Sequence, residues 1–462
     1  MSTTSLSTAT GMFGYHKGTE QTGAARVLAR YVCDLDPGEF SDQTREAVLR
    51  CVFDLLSAAA AGLTGPGVAA ARQSAVLLYG GGSASIWFTG QTASPLAAVM
   101  ANSAAAAAHD LDDGYRRARG HPGAAVIPAA LASLTKLSTA VTTYEFFAAI
   151  VAGYEVGIRM SMGRLSYAPS GAWSPYAVIA TVGRLSHASD ETLAQAFGIA
   201  AQTAPALPAL AGIAGSDVKE GIPWGAVLGL AALEQARAGM TGPIEVFDDP
   251  RLFAGARMTE GIGGEPLIVD TYFKPYGCCR HIHGALDALE HLQTTYQFKS
   301  QDIATITVHT YLATFNLSNL VRPSTLVQAQ YSMPHCLAAY AIHGLKALLP
   351  LAEAHLHDCE VNALSERVHI QHDTKIEPLF PARSPSWIRV VLLDGTDHVS
   401  SLTDPRGDSS APLSWSDLVN KFMLATRDGL STTQQAGVID AVTQLRQGSL
   451  DGLQTILRSG NE

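Results

Sequence analysis

Helical periodicity runs through more than half of this chain, while strand signals are gathered into one later stretch, and that contrast limits what it can fold into. Between residues 21 and 264 apolar side chains recur at helical spacing. Val27, Leu28, Tyr31, Val32 and Leu35 make one stripe, and Ser41 opens a second helix carrying Val48, Leu49, Val52, Leu55 and Leu56. Further helices start near Ser94 and Pro95, Thr142, Asp190 and Gly225. After Gly264 the texture changes. ATITVHTYL (304–312) and LSERVHIQHD (364–373) are rich in β-branched residues, and SWIRVVLLDGTDHVSSLTD (386–404) places Asp394-Gly395 between two strand-like runs, a hairpin signal. Helical patterns at 284–296 and 333–349 alternate with these strands, and helices return from Ser414 onward. The expected fold is mainly α, with the last helices packing back on the first.

The chain has 462 residues, 47% of them hydrophobic and 16% charged, enough to bury a large core. Its net charge of −10 disfavours a broad basic face of the kind that holds nucleic acid or an anionic membrane. The apolar runs 95–108 and 146–153 break well short of the roughly 20 residues needed to cross a bilayer, so no spanning helix is expected. Residues 1–20 are Ser/Thr-rich without an apolar signal core and are expected to form a flexible tail. Six cysteines are too few for a disulfide framework in a chain this long, and a reducing cytoplasm is expected. Adjacent Cys278 and Cys279, followed by His281 and His283, lack the two-to-four-residue spacing of zinc ligands, so no metal is expected there.

Four segments carry chemistry. HDLDDGYRRARGHPG (109–123) packs three aspartates, three arginines and two histidines between an alanine run and an apolar helix. Charge that dense is costly to bury without partners, and Asp110, Asp112 and Asp113 cannot share one helix face, so the chain leaves the helix here. Two readings stay open on local grounds: a solvated end in which the aspartates pair with Arg116, Arg117 and Arg119, or inward acidic groups serving a ligand. A divalent-metal site from His109, Asp110 and His121 matches no recognised ligand spacing. DTYFKPYGCCRHIHGALDAL (270–289) brings Lys274, Arg280, His281 and His283 to a loop before a helix N-terminus, an outline that suits a carboxylate or phosphate. AGIAGSDVKEGIPWGAV (211–227) holds Lys219 before an apolar helix, and AQYSMPHCLAAYAIHG (329–344) puts His335 at the start of another.

In this order and spacing the segments resemble the MmgE/PrpD family, whose activities include 2-methylcitrate dehydration, cis-aconitate decarboxylation and iminodisuccinate epimerisation. The matching pieces are NSAAAAAHDLDD, GHPGAAVIPAALA, VKEGIPWGAV with ARAGMTGPIEVFDDPRLF, FKPYGCCRHIHGALDAL and QYSMPHCLAAYAI. The resemblance implies a large helical domain built from residues 21–266 and 409–462, an inserted α+β lid over 267–408, a cleft between them, and a homodimer without metal or organic cofactor. It implies catalytic roles for Asp110, His121, Lys219 and Lys274, with His335 at a position where a member has a tyrosine. Substrate contacts are expected from Tyr115, Ser174, Arg280 and His283. Ser174, in GAWSPYAVIATVG (171–183), stands where many members carry a histidine, and serine cannot titrate near neutral pH. His335 is the expected substitute proton carrier.

A lyase acting on a small polycarboxylate follows from the resemblance, dehydrating a 2-methylcitrate-like (alkyl)citrate by acid/base catalysis. The alternatives are a cis-aconitate-type decarboxylase, an epimerase or isomerase working by proton removal and return, or a non-catalytic member that only binds a ligand or partner.

Overall fold

The computed structural model describes residues 23–137, 140–205, 207 and 215–460; the tail expected over 1–20 lies outside them. The first part holds ten α-helices: α1 (Ala24–Asp34), α2 (Asp42–Ala61), α3 (Val68–Tyr79), α4 (Pro95–Ala107), α5 (Gly123–Ser133), α6 (Thr143–Gly163), α7 (Ser174–Leu185), α8 (Asp190–Thr203), α9 (Ile222–Arg237) and the short α10 (Gly255–Thr259). Local chemistry sets their starts. Ser41, Ser94, Thr142 and Ser189 each accept a backbone N–H of the following turn, satisfying donors that the helix itself leaves unpaired. The helix expected near Gly225 begins at Ile222, after Gly221 takes a left-handed φ of 70°.

Alanine, valine and glycine let these helices pack closely; α5 is buried along its whole length. α2 with its following turn, Asp42–Thr64, is long and apolar enough to cross a membrane, a feature the reading of apolar runs misses. It is 83% buried inside the protein, and its Asp54 is paired there with Lys421. The same core takes in the last helices, α15 (Trp415–Ala425), α16 (Thr432–Arg446) and α17 (Asp451–Ile456). Phe53 of α2 packs on Phe422 and Trp415 with ring centroids 5.3 and 5.6 Å away, so both ends of the chain build one hydrophobic unit. Burying a side chain such as Phe422 contributes roughly 1.5–3 kcal/mol.

A second core draws on residues 276–390. It joins α11 (Arg280–Tyr296), α12 (Leu326–Gln330), α13 (Met333–His343) and α14 (Cys359–Ser365) to a four-stranded sheet. After a small hairpin in the helical part, β1 (Ala84–Ile86) with β2 (Gln91–Ala93), come the sheet strands β3 (Ile303–Thr310), β4 (Val368–His372), β5 (Trp387–Leu392) and β6 (Asp397–Val399), in spatial order β4-β3-β5-β6. β3 runs parallel to β4 and antiparallel to β5, and the turn between β5 and β6 carries Gly395 at φ 88°.

Three expectations shift. Leu364 and Ser365 close α14 rather than starting a strand. α13 stops at His343, because Gly344 turns to a left-handed φ of 70°, not at residue 349. α11 begins at Arg280, four residues earlier than read, because the Cys279 carbonyl already accepts the Ile282 N–H.

Candidate active site

The DLDD segment begins where α4 ends. Asp110 adopts φ 55°, which turns the chain back into the protein, and Asp110, Asp112 and Asp113 are 4, 1 and 0% exposed. They are no solvated helix end, and the arginines beside them go elsewhere. Asp110 lies between two lysines: Lys219 Nζ is 3.4 Å from Oδ1 and Lys274 Nζ is 3.3 Å from Oδ2. Lys274 also donates to the Asp110 carbonyl at 3.0 Å and sits 3.7 Å from Asp112. Burial alone would raise the Asp110 carboxyl, but Lys274 and Lys219 outweigh it and hold the group well below the usual carboxylate range. Burial lowers Lys274 in turn, and Asp110 and Asp112 reverse that, keeping it firmly protonated. Asp113 has no cation beside it among the described residues. Burial pushes it up to about 7, against the Tyr154 hydroxyl and Gly123 N–H that donate to it.

His121 is fixed from three sides. Its Nδ1 lies 2.6 Å from the Asp113 carbonyl oxygen, which can only accept, so Nδ1 carries a proton and Nε2 is the nitrogen left for other partners. The His121 N–H donates to Ser170 Oγ at 3.0 Å, and Ser170 Oγ and N–H both donate to Glu220 Oε2. Glu220 Oε1 stands 3.7 Å from His121 Nε2. The flanking glycines are steric requirements. A Cβ on Gly120 would come within 2.4 Å of Ser170 Oγ, and one on Gly123 within 2.6 Å of Asp113 Oδ1 and the Tyr154 hydroxyl.

Two chambers share Asp110, His121 and Glu220. The larger, about 360 Å³, is walled by α3, α4 and the start of α9 and reaches Asp112 and Lys219. The smaller, about 160 Å³, lies between the helical part and the α+β part, with Arg119, Arg280, His281, Tyr167 and Tyr331 on its walls. Asp408 bridges Arg280, at 2.7 Å, and Arg116, so one carboxylate ties down two guanidinium groups. Arg119 stacks on Tyr167, with its guanidinium 4.2 Å from the ring centroid, and has no carboxylate partner among the described residues. Burial, then Arg116, pushes His281 down to about 4, so its ring is neutral. The Tyr331 hydroxyl is buried without a partner among the described residues. The smaller chamber sets Arg116, Arg119 and Arg280 around Asp110, Glu220 and the His121 imidazole, with Lys219 on the adjoining chamber, and its guanidinium groups suit a ligand's carboxylates and negative charge developing next to them.

The expected residues divide. Asp110, His121, Lys219 and Arg280 come together on the cleft. Lys274 is fully buried behind Asp110 and lines neither chamber, so it is not the exposed loop cation that the Gly/Pro-rich segment suggests. His283 sits beneath Arg280: its Nε2 donates to the Cys278 carbonyl at 2.9 Å, leaving Nδ1 to accept from Arg280 at 3.1 Å. Tyr115 is buried, pairs its backbone with Gly120 and lines neither chamber.

Ser174 is also displaced from the expected place. It stands in the first turn of α7 and returns its hydroxyl to the Ser170 carbonyl at 2.7 Å, the usual back-bond of a helical serine. His335 is buried in α13, outside both chambers, with neither ring nitrogen partnered among the described residues. Burial, then His355, pushes it down to about 4, while Asp358 opposes. Those neighbours belong to a group of His343, His355 and Asp358 close enough to share a metal ion. Glu220, Tyr167 and Tyr331 are cleft residues to which the sequence assigns no role, while Arg119 belongs to the charged 109–123 segment. Glu220 and Tyr331 lie inside the segments 211–227 and 329–344, but nothing local says which way they point.

Similarity to known proteins covers both parts of the chain. Cis-aconitate decarboxylase of Aspergillus terreus is 24% identical over 431 residues, which cover 84% of this chain and 86% of that protein. The cis-aconitate decarboxylase-like protein oryM of Aspergillus oryzae is 26% identical over 403 residues, 78% of this chain and 82% of that one. Residues 26–261 match the MmgE/PrpD N-terminal domain and residues 276–447 the MmgE/PrpD C-terminal domain, and the chain belongs to the MmgE/PrpD family.

Proposed function

We propose that this protein is a lyase that eliminates water from a hydroxy-bearing small polycarboxylate. The observation that carries the reading is His121, whose Nδ1–H is committed to the Asp113 carbonyl so that Nε2 opens on a cleft beside Lys219, Arg119 and Arg280. In this reading the arginines hold the carboxylates, and His121 Nε2 takes the proton from the carbon next to one of them. The C–H electrons form the C=C bond as the C–O bond breaks. The departing hydroxyl takes a proton from the Lys219 ammonium, two of whose donors already point at the Ala107 carbonyl and Asp110. Asp112 Oδ2, buried and without a donor among the described residues, suits the substrate hydroxyl before it leaves. Positioned acid/base help of this kind is worth about a hundred- to ten-thousand-fold in rate.

A second reading, loss of CO2 from an unsaturated tricarboxylate, is favoured by the names of both similar proteins. The same cations would hold the charge left on carbon, and one acid would protonate it. The test is NMR in D2O with 2-methylcitrate, citrate and cis-aconitate as separate substrates, wild type against His121→Gln. Water loss with deuterium exchange, abolished in the variant, supports dehydration. CO2 release from cis-aconitate alone turns the assignment to the second reading, and no conversion of any of the three refutes the lyase.

A further inference from the structure

We propose that the larger chamber is a binding site for an unbranched alkyl substituent, longer than methyl, carried by the polycarboxylate; this rests on the substrate class proposed above. A small polycarboxylate fits the smaller chamber, where the cations are. Beyond the end that holds Asp112 and Lys219, the second space, of about 360 Å³, has mostly apolar walls that a small polycarboxylate would leave unfilled. Met100, Ala104 and Ala107 follow one face of α4, each beside the next along the helix, and Ala108 caps its end. Ala70 and Ala71 of α3 oppose them, and Trp224 stands at the start of α9, 44% exposed at the rim. Short side chains on both facing helices create this space; a leucine in place of either α3 alanine would occupy part of it.

The polar end is equally defined. Asp110, Asp112, His121, Lys219 and Glu220 line the same chamber, and the buried Asp112 Oδ2 has no donor among the described residues. The chamber is therefore mostly apolar, with Ser74 and Asp217 as further polar residues of its lining, and charged where it meets the arginine-lined pocket. A substrate with its carboxylates on Arg119 and Arg280 and its reacting carbon at His121 has this apolar space next to that carbon. A chain attached there leaves water as it enters, and each buried methylene strengthens binding about fourfold.

The test is calorimetric binding of 2-methylcitrate, 2-propylcitrate and 2-hexylcitrate to the full-length protein, with hexanoate as a chain lacking the tricarboxylate head. Affinity should climb through the series, by about a thousandfold for the five methylenes added between methyl and hexyl. Ala104→Phe should remove that climb while 2-methylcitrate binds as in wild type. Ala71→Leu fills the opposite wall and should blunt the climb as well, so a folding defect in one variant does not decide the matter; thermal melting checks both. Equal affinity for methyl and hexyl homologues overturns the inference and leaves the polycarboxylate reading standing. So does a full climb retained in both variants. Hexanoate binding as tightly as 2-hexylcitrate also overturns it, because the chamber would then be a separate lipid site. If no citrate of any chain length binds while the protein is folded, the substrate class itself falls and takes this inference with it.

Discussion

His335→Phe separates a proton carrier from a buried structural histidine. In wild type both ring nitrogens are sequestered without partners among the described residues, and burial holds the imidazole's pKa at about 4. An unfolded histidine titrates near 6.5. Between these values the unfolded chain binds more protons than the folded one, so stability is intact at pH 7 and is lost as pH falls through 6.5 toward 4. Linkage puts the loss from this one residue at about 2 kcal/mol at pH 5 and about 3 kcal/mol below pH 4. Phenylalanine cannot titrate and has no nitrogens to leave unsatisfied, although its larger ring gives part of that gain back through crowding. Urea unfolding at pH 7 and pH 5 should therefore show the variant losing about 2 kcal/mol less than wild type between the two. Turnover at pH 7 should stay near normal. A folded variant whose acid sensitivity matches wild type and whose turnover has collapsed would refute the placement and return the proton work to His335.

Lys274→Met leaves Asp110 and Asp112 buried beside one fewer cation and should destabilise the fold by about 3–5 kcal/mol in urea unfolding, rather than merely raising KM. Asp113→Asn tests the opposite linkage. Its carboxyl titrates at about 7 in the fold against an ordinary 3.8, so the folded state binds more protons in that window and wild-type stability falls as pH rises from 4 to 7. The variant should lose up to about 4 kcal/mol of that fall. Arg119→Ala removes a cleft guanidinium without a carboxylate partner among the described residues, so melting should not change while KM for a polycarboxylate rises about ten- to a hundredfold.

Features whose cause is local are legible in the sequence. Ser41, Ser94 and Thr142 announce their helices because each caps with its own side chain, and Asp394-Gly395 announces the β5–β6 turn for the same reason. The β1–β2 hairpin is not legible: ASI and QTA have three residues each and form a ladder only where α4 packs on them. At the site, Asp110 and His121 stand out because charge interrupts an apolar run. The direction of Lys274 is hidden, since its partner Asp110 is 164 residues earlier in the chain. Ser174 and His335 show the limit of reading by matched position. A place in a motif gives the residue but not the rotamer or the helix face, and here one hydroxyl turns back on its own helix while the imidazole joins a different cluster.

Three non-glycine residues on the cleft, Asp110, Arg119 and Lys219, hold left-handed φ of 55, 52 and 50°. Each costs on the order of 1–3 kcal/mol and persists only where the surroundings over-determine it. Those surroundings are visible here. Lys421 of α15 donates to Asp54 of α2 at 2.6 Å and to the Leu111 carbonyl at 2.8 Å, so a helix from the end of the chain grips the peptide next to Asp110. From the α+β part, Gln330 donates to the Ala108 carbonyl, and Tyr272 pairs its backbone with Gly114. The loop that bears the charge is thus clamped by the early helices, the last helices and the inserted part together. None of these can shift without moving Asp110 and, through the Asp113 carbonyl, His121. That explains why so much buried charge is tolerated in one short segment: the assembly of the whole fold and the alignment of its proton-transfer groups depend on the same few hydrogen bonds.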